Sequence, residues 1–240
     1  MGARKREMSS WRTFIGDVHG KFGRYKEILK SSVYPTIQVG DMGVGFLKFP
    51  HGEKTANPPY DLMVEKDALF IRGNHDNPEF CLQHPRCIKD GTVIDNMMFC
   101  GGAVSIDKAY RHEGFSWWED EELSESDLVN VEQTYAVAKP EIMVSHECPE
   151  KIAALLVGRL NNLATPGQKW KLDPRWDSRT RHAFDRMHSV HQPQLWIFGH
   201  WHVRFDDIVD GTRFICLPEL ATIDIDTKTL RTSDEGHTYS

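Results

Sequence analysis

Five short stretches of the chain carry the side chains that bind metal ions or move protons. They are Gly16-Asp17-Val18-His19-Gly20, Gly40-Asp41-Met42-Gly43, Arg72-Gly73-Asn74-His75-Asp76, the single His146, and Gly199-His200-Trp201-His202. Ligand-type residues at i and i+2, as in Asp17/His19 and His200/His202, can present both side chains on one side of an extended backbone. A glycine beside them lets the chain turn sharply and approach something closely. Each stretch alone has an ordinary reading: Asp41 as a turn cap, His146 as a hydrogen-bonded core histidine, Asn74 as an Asx-turn residue. Their joint presence points to chemistry. Carboxylate, imidazole and amide oxygen without thiolate suit Mn²⁺, Fe or Zn²⁺. Asp17, His19, Asp41, Asn74, His146, His200 and His202 make seven donors, too many for one ion. They suit two ions sharing a bridging carboxylate, and such a pair about 3.5–4 Å apart can clamp both sides of an in-line displacement.

Every one of these stretches follows a run with strand character. Thr13–Ile15, Thr36–Val39, Ala68–Ile71, Glu141–Ser145 and Leu195–Phe198 are short, apolar and bounded by Gly, Pro or polar residues. Between them the spacing predicts helices over Phe22–Lys30, from a Ser124 N-cap to about Lys139 and Pro140, over Lys151–Val157 after Pro149, and over Thr180–Val190 behind Asp177 or Ser178. Hairpins are predicted at Asp95-Asn96 and at Asp210-Gly211. Phe49–Tyr60 and Asn161–Pro174 read as loops, and the acidic, threonine-rich tail from Asp224 as frayed at its end. Strands joined by helices and long loops imply an α/β layered fold with functional groups at the strand C-terminal ends. With no repeat and no clear linker, residues 1–240 read as one domain with a flexible lead-in at 1–10.

Residues 101–139 differ in character and read as an insertion covering one side of the site, with Arg111, His112, Trp117 and Trp118 as the candidates for setting substrate choice. Paired tryptophans can stack on a base, although packing in a core is the plainer reading. Lys169, Lys171, Arg175, Arg179, Arg181 and Arg186 stand against Asp173, Asp177 and Asp185. That balance reads as a solvated face, with attraction of a polyanion as the alternative.

Composition narrows the classes. Hydrophobic residues are 40% and charged residues 27% of the 240, ordinary for a globular chain. A formal net charge of −6 argues against a general nucleic-acid-coating protein, which needs a broad basic surface, but leaves a local basic groove open. Five cysteines without CxxC spacing argue against a zinc ribbon or a disulfide framework and fit reduced thiols, hence a cytoplasmic location. No run is long and apolar enough to span a bilayer, so no membrane partner is expected.

In order and spacing, Gly16-Asp17-x-His19-Gly20, Gly40-Asp41, Gly73-Asn74-His75-Asp76, His146 and Gly199-His200-x-His202 resemble the motif series of the calcineurin-like metallophosphoesterases. The resemblance covers roughly residues 14 to 204. It implies a four-layer αββα sandwich, two packed mixed β-sheets flanked by helices, with a dinuclear site at the strand ends. Asp17, His19 and His202 would bind one ion, Asn74, His146 and His200 the other, and Asp41 would bridge. The implied cofactor is a pair of divalent ions, manganese first, with iron, zinc or nickel as alternatives.

The implied activity is hydrolysis of a phosphomonoester or phosphodiester, with a metal-bridging water or hydroxide as nucleophile. His75 would contact the phosphate or protonate the leaving oxygen, and Asp76 would orient His75. Arg72 sits where the protein Ser/Thr phosphatase branch grips its phosphate, a surface salt bridge being the other reading. This chain is not a close match to that branch. The second acid and the arginine of its Gly-Asp-x-x-Asp-Arg-Gly motif are absent from Gly40-Asp41-Met42-Gly43-Val44-Gly45, and Asp76 stands where it has Glu. The substrate is a phosphorylated molecule of open class, with a nucleotide or nucleic acid among the candidates. The rival readings are a nuclease or nucleotide phosphodiesterase and a non-catalytic scaffold, such as a retromer subunit of this fold, which tends to have lost ligand histidines.

Overall fold

The computed structural model describes residues 9–54, 56–163 and 177–233. In chain order its elements begin with β1 (Trp11–Ile15), α1 (Phe22–Ser31), β2 (Thr36–Gln38), β3 (Leu47–Lys48), β4 (Glu53–Lys54), α2 (Tyr60–Glu65), β5 (Leu69–Phe70) and α3 (Pro78–Gln83). They continue with β6 (Val93–Ile94), β7 (Met97–Cys100), 3₁₀ turns at Lys108–Tyr110 and Glu119–Glu121, α4 (Glu125–Ala138), β8 (Ile142–Ser145) and α5 (Glu150–Leu163). The last are α6 (Arg179–Val190), β9 (Leu195–Phe198), β10 (Phe205–Val209), β11 (Thr212–Cys216) and β12 (Thr222–Asp226).

One sheet has the order β12-β1-β2-β5, the other β10-β11-β9-β8-β7-β6, and β3-β4 form a small ribbon. In the first sheet β1, β2 and β5 run parallel, and β12 closes one edge antiparallel. In the second, β11, β9, β8 and β7 run parallel, while β10 and β6 are antiparallel edges.

The two-residue period of the strands builds the layers. Leu195 and Ile197 of β9 point between the sheets with Phe99, Ile142, Val144 and Ile215, against Phe14, Ile37 and Ile225 of the first sheet. Their neighbours Trp196 and Phe198 face the other way and pack with Tyr135 of α4, Leu156 of α5 and Phe184 of α6. On the first sheet Ile15 and Phe70 face outward onto Tyr25 and Leu29 of α1, Met63 of α2 and Cys81 of α3. The result is helix, sheet, sheet, helix: the four-layer αββα sandwich implied by the motif resemblance. Phe14 lies opposite Ile37 on β2 and Ile223 on β12, which fixes the register at the end of β1 where Gly16 and Asp17 begin. The buried amide of Gln38 bonds to the Gly16 and Gly40 carbonyls, tying the ends of β1 and β2 together.

Local signals account for many boundaries. Ser124 caps α4 by accepting from the Asp127 N–H at 3.2 Å, and Ser178 caps α6 by accepting from Arg181 N–H at 3.2 Å. Asp210 and Gly211 take φ of 47° and 83°, the turn that joins β10 to β11.

Elsewhere the structure corrects the sequence reading. Asp224–Asp226, where the predicted tail begins, belongs to the edge strand Thr222–Asp226, which pairs along the whole of β1. Helices α2 and α3 and the β3-β4 ribbon were not foreseen, because each is too short to show a period. Helix α5 continues to Leu163, into the predicted loop, and the remainder of that loop reading, with Lys169, Lys171, Asp173 and Arg175, lies outside the described residues, as do residues 1–8. Arg181 is not on a solvated face: it is buried and paired with Glu150 at 2.5 Å and Glu147 at 3.4 Å. Arg186 pairs with Glu132 of α4. Trp117 is buried with the Lys108 ammonium 4.0 Å above its ring, the packing role that is the plainer reading of the pair. All five thiols are free. Among the described residues, no helix is long and apolar enough to cross a membrane.

His188 on α6 sets a pH limit on this packing. Its Nε2 lies 2.9 Å from Thr212 Oγ1 and its Nδ1 lies 2.7 Å from the Lys151 ammonium, with the ring beside Trp196 and Phe214. Burial and then the Lys151 charge pull its pKa down to about 4. An unfolded histidine titrates near ~6.5, so between these values the unfolded chain binds more protons than the folded one. The stability from a neutral His188 is therefore complete above ~6.5 and declines as pH falls toward 4. Urea unfolding of the metal-free protein is expected to show this decline, and His188→Gln a shallower one.

Candidate metal centre

The C-terminal ends of β1, β2, β5, β8 and β9 meet at one edge of the sandwich, and the loops leaving them carry the predicted ligands. Donor atoms converge in three overlapping groups: Asp17, His19 and His202; Asp41, His146 and His200; and His19, Asp41 and His75. Within each group they lie no more than 4.8 Å apart. Asp41 stands between the first two groups. Its Oδ1 is 3.2 Å from His146 Nε2 and its Oδ2 is 3.8 Å from His19 Nε2. His202 Nε2 is 2.9 Å from both Asp17 Oδ2 and His19 Nε2. Asn74 Oδ1 is 3.0 Å from His146 Nε2. The structure thus brings all seven sequence-predicted ligand residues into one cluster.

The loops also hold one another. Asp41 Oδ1 accepts from the His75 N–H at 2.6 Å, and the Asp41 carbonyl accepts from Val18 and His19 N–H at 2.9 and 2.8 Å. The His200 N–H donates to Asp17, and the His146 ring contacts the Val39 carbonyl at 2.9 Å, crossing from one sheet to the other. Such tight turns need unusual backbone. His19, Asp41, His200 and His202 all have positive φ, between 48° and 65°, a conformation that non-glycine residues adopt mainly where surroundings enforce it. The glycines beside them are set by close approach. A Cβ on Gly73 would collide with Asp41 Oδ1, and one on Gly199 with Asp17 Oδ1.

Charge is distributed unevenly. Burial would raise the Asp41 pKa, but His146, His75 and His19 outweigh it and hold the carboxyl well below the usual range. Burial works against a charged His146, yet Asp41 and Asp17 prevail and push it up to about 10. The His202 pKa is raised by its bond to Asp17, whereas burial lowers that of His200. The site is an acid–imidazole cluster rich in protons, and its oxygen and nitrogen donors fit borderline divalent ions.

His75 reaches the cluster edge, its ring 4.8 Å from that of His19. Burial first, and then the Arg111 charge, lower its pKa to about 4. Asp76 is fully buried, and its oxygens accept from the N–H groups of Met42, Gly43, Val44 and Gly73 at 2.7–3.1 Å. It clamps the Gly73 turn onto the loop after Asp41. Arg72 is buried rather than at the surface: its Nε pairs with Asp90 at 2.7 Å and its Nη1 donates to the carbonyls of Asp120 and Glu121.

Of residues 101–139, the part before α4 reaches the cluster, where Arg111 touches His75 and Ser105 touches Asn74. Helix α4 instead packs on the outer face of the second sheet. The Phe46 ring lies 6.5 Å from that of His75, and Trp118 packs on Phe46 with centroids 5.3 Å apart.

Two supporting groups had no signal in the sequence beyond adjacency. Glu147, directly after His146, is fully buried. It lies 3.6 Å from His200 Nε2 and accepts from Trp201 Nε1 and the Cys148 N–H. Ser105 accepts from Asn74 Nδ2 at 3.0 Å and donates to Glu121 at 2.5 Å, which leaves the Asn74 amide oxygen facing His146.

Comparison with known proteins gives a family. The family model described as calcineurin-like phosphoesterase matches residues 12–204. No curated protein matches the chain. Among solved structures, GAP50, the anchor in the inner membrane complex of Plasmodium, aligns with a TM-score of 0.46 and 9% identity over 89% of this chain and 80% of that one. A putative 5′-nucleotidase from Staphylococcus aureus, in complex with alpha-ketoglutarate, aligns with a TM-score of 0.44 and 11% identity over 93% of this chain. The chain accounts for 52% of that nucleotidase's length.

A histidine that ligates a metal must be neutral, and His146 in the free protein titrates at about 10. Loading the stripped protein with a divalent ion near neutral pH is therefore expected to release at least about one proton per chain. Calorimetric titrations in buffers of different ionisation enthalpy will measure it, as a slope of apparent enthalpy against buffer enthalpy. His146→Gln is expected to flatten that slope.

Proposed function

The chain belongs to the calcineurin-like phosphoesterase family, and from that premise we propose that it hydrolyses a phosphomonoester or phosphodiester using two divalent metal ions. The observation that carries the proposal is the divided Asp41 carboxylate, one oxygen toward His146 and the other toward His19. Asp17, His19 and His202 would hold one ion, Asn74, His146 and His200 the other, and Asp41 would be shared between them. Carboxylate, imidazole and amide oxygen without thiolate are compatible with manganese, iron, zinc or nickel, and the family resemblance puts manganese first. Bound there, two such ions supply an acidified water as nucleophile and neutralise the phosphoryl oxygens.

The remaining groups belong to the chain itself. Asp76 orients His75 through the backbone, by fixing the turn on which that histidine stands. His75 then faces the cleft and contacts the phosphate or delivers a proton to the leaving oxygen. An arriving phosphate anion opposes the Arg111 charge, one of the causes that depress its pKa, and so favours the protonated imidazole. Glu147 and Ser105 position His200 and Asn74, as second-layer partners of ligands commonly do. Arg72 anchors the segment that borders the site.

The test is turnover of p-nitrophenyl phosphate and bis-p-nitrophenyl phosphate by metal-stripped protein with Mn²⁺, Fe²⁺, Zn²⁺ or Ni²⁺ added back. Metal-dependent hydrolysis of at least one is expected. Asp41→Asn is expected to bind fewer ions per chain and to lower kcat/KM by roughly a hundredfold or more. Full activity in that variant would refute the assignment. No turnover with any metal would favour an interaction platform instead.

A further inference from the structure

Arg111 lies in the segment between β7 and α4, directly after the 3₁₀ turn at Lys108–Tyr110. Two of its three guanidinium nitrogens are held by its own segment: Nε by Asp107 Oδ1 at 2.7 Å and Nη1 by the Ser116 carbonyl at 3.0 Å. Those bonds aim the third, Nη2, at His75, where it meets both ring nitrogens, 2.8 Å from Nδ1. A cation directed at a charged imidazole is an unfavourable contact for both partners. An anion placed beside both would turn it into a favourable one. Arg72 and Arg181, also near the cluster, are engaged elsewhere: Arg72 with Asp90 and the Asp120 and Glu121 carbonyls, and Arg181 with Glu147 and Glu150.

We propose that Arg111 grips a non-bridging oxygen of the substrate's phosphoryl group and thereby selects phosphomonoesters over phosphodiesters. The inference rests on the phosphoesterase reading above and names its substrate class. A monoester dianion carries three non-bridging oxygens and a diester two, so a cation added to a pair of ions finds a further charged oxygen only in the monoester. The planar fork of arginine suits such an oxygen better than a lysine does. Phe46, before β3, stands with its ring 6.5 Å from that of His75 and 5.3 Å from that of Trp118, which follows Arg111 in the same segment.

The test compares wild type, Arg111→Gln and Arg111→Lys, each metal-loaded, on the two nitrophenyl substrates, together with calorimetric binding of inorganic phosphate. Wild type is expected to prefer the monoester. Arg111→Gln should lower monoester kcat/KM by about 10- to 100-fold, the size of a lost hydrogen bond to a charged group, and should weaken phosphate binding by a similar factor. Its diester activity should change by less than about threefold. Arg111→Lys, which keeps the charge and the space, should recover part of both losses. Equal losses on both substrates, or phosphate binding as tight as in wild type, would overturn the proposal. Failure of wild type on both substrates would count against the phosphoesterase reading, while the phosphate comparison would still decide the role of Arg111.

Discussion

Burying the Asp41 carboxylate at the seam between two sheets is costly unless donors and positive charge surround it, and the neighbouring loops supply both. The His75 N–H donates to it, and imidazoles from β8 and from the loop after β1 flank its two oxygens. Because these groups come from both sheets, the carboxylate can be satisfied only when the sandwich is closed in its correct alignment. The β1, β2, β5, β8 and β9 loops are therefore not independent decorations. Displacing one leaves a buried charge with a missing partner in the others.

This concentration of polar groups is offset by packing elsewhere. Four ligand-bearing residues sit in left-handed backbone, each at a cost of order 1 kcal/mol or more. Asp76, with four backbone N–H groups, and Gln38, across the ends of β1 and β2, fix the turns that carry them. Behind these turns lie fully apolar layers, with Phe14, Phe99, Ile142 and Ile197 between the sheets and Trp196 and Phe198 under the helices. A soft core would allow the turns to relax, so the precision of the cluster depends on residues far from it.

The segment between β7 and α4 adds a different kind of control. It is bound to the site at several points: Arg72 holds its backbone, Ser105 holds Asn74, and Arg111 reaches His75. Asp107 and the Ser116 carbonyl fix the guanidinium of Arg111 from behind. Its side chains thus stand on a framework rather than on a free loop, as the proposed selection by Arg111 requires.

The layered fold was legible because the strands are short and apolar, and because four of the five that lead to the site end in glycine followed by Asp17, Asp41, Asn74 or His200. The period of Leu195 to Phe198 alone assigns one face to the inter-sheet core and the other to the helices. What is too brief to show a period was not legible, as with α2, α3 and the β3-β4 ribbon, and Thr222–Asp226 alternates over only five residues in which Thr and Asp outnumber Ile, so its end read as the start of an acidic tail. At the site, residue type and order marked Asp17, His19, Asp41, Asn74, His146, His200 and His202 as a set, since few other arrangements place so many donors after glycines.

Only the tertiary structure decided the partners. Arg72 and Arg111 are the same residue type near the same cluster, yet one is bound to Asp90 and carbonyls while the other faces His75. Glu147 and Ser105 carry no motif at all and become supporting groups through contacts with His200 and Asn74. The physical reason is range. Strand period, caps and glycine turns act within a few residues and are written locally, whereas the fate of a buried charge depends on whichever group the closed sandwich brings within about 3–4 Å of it.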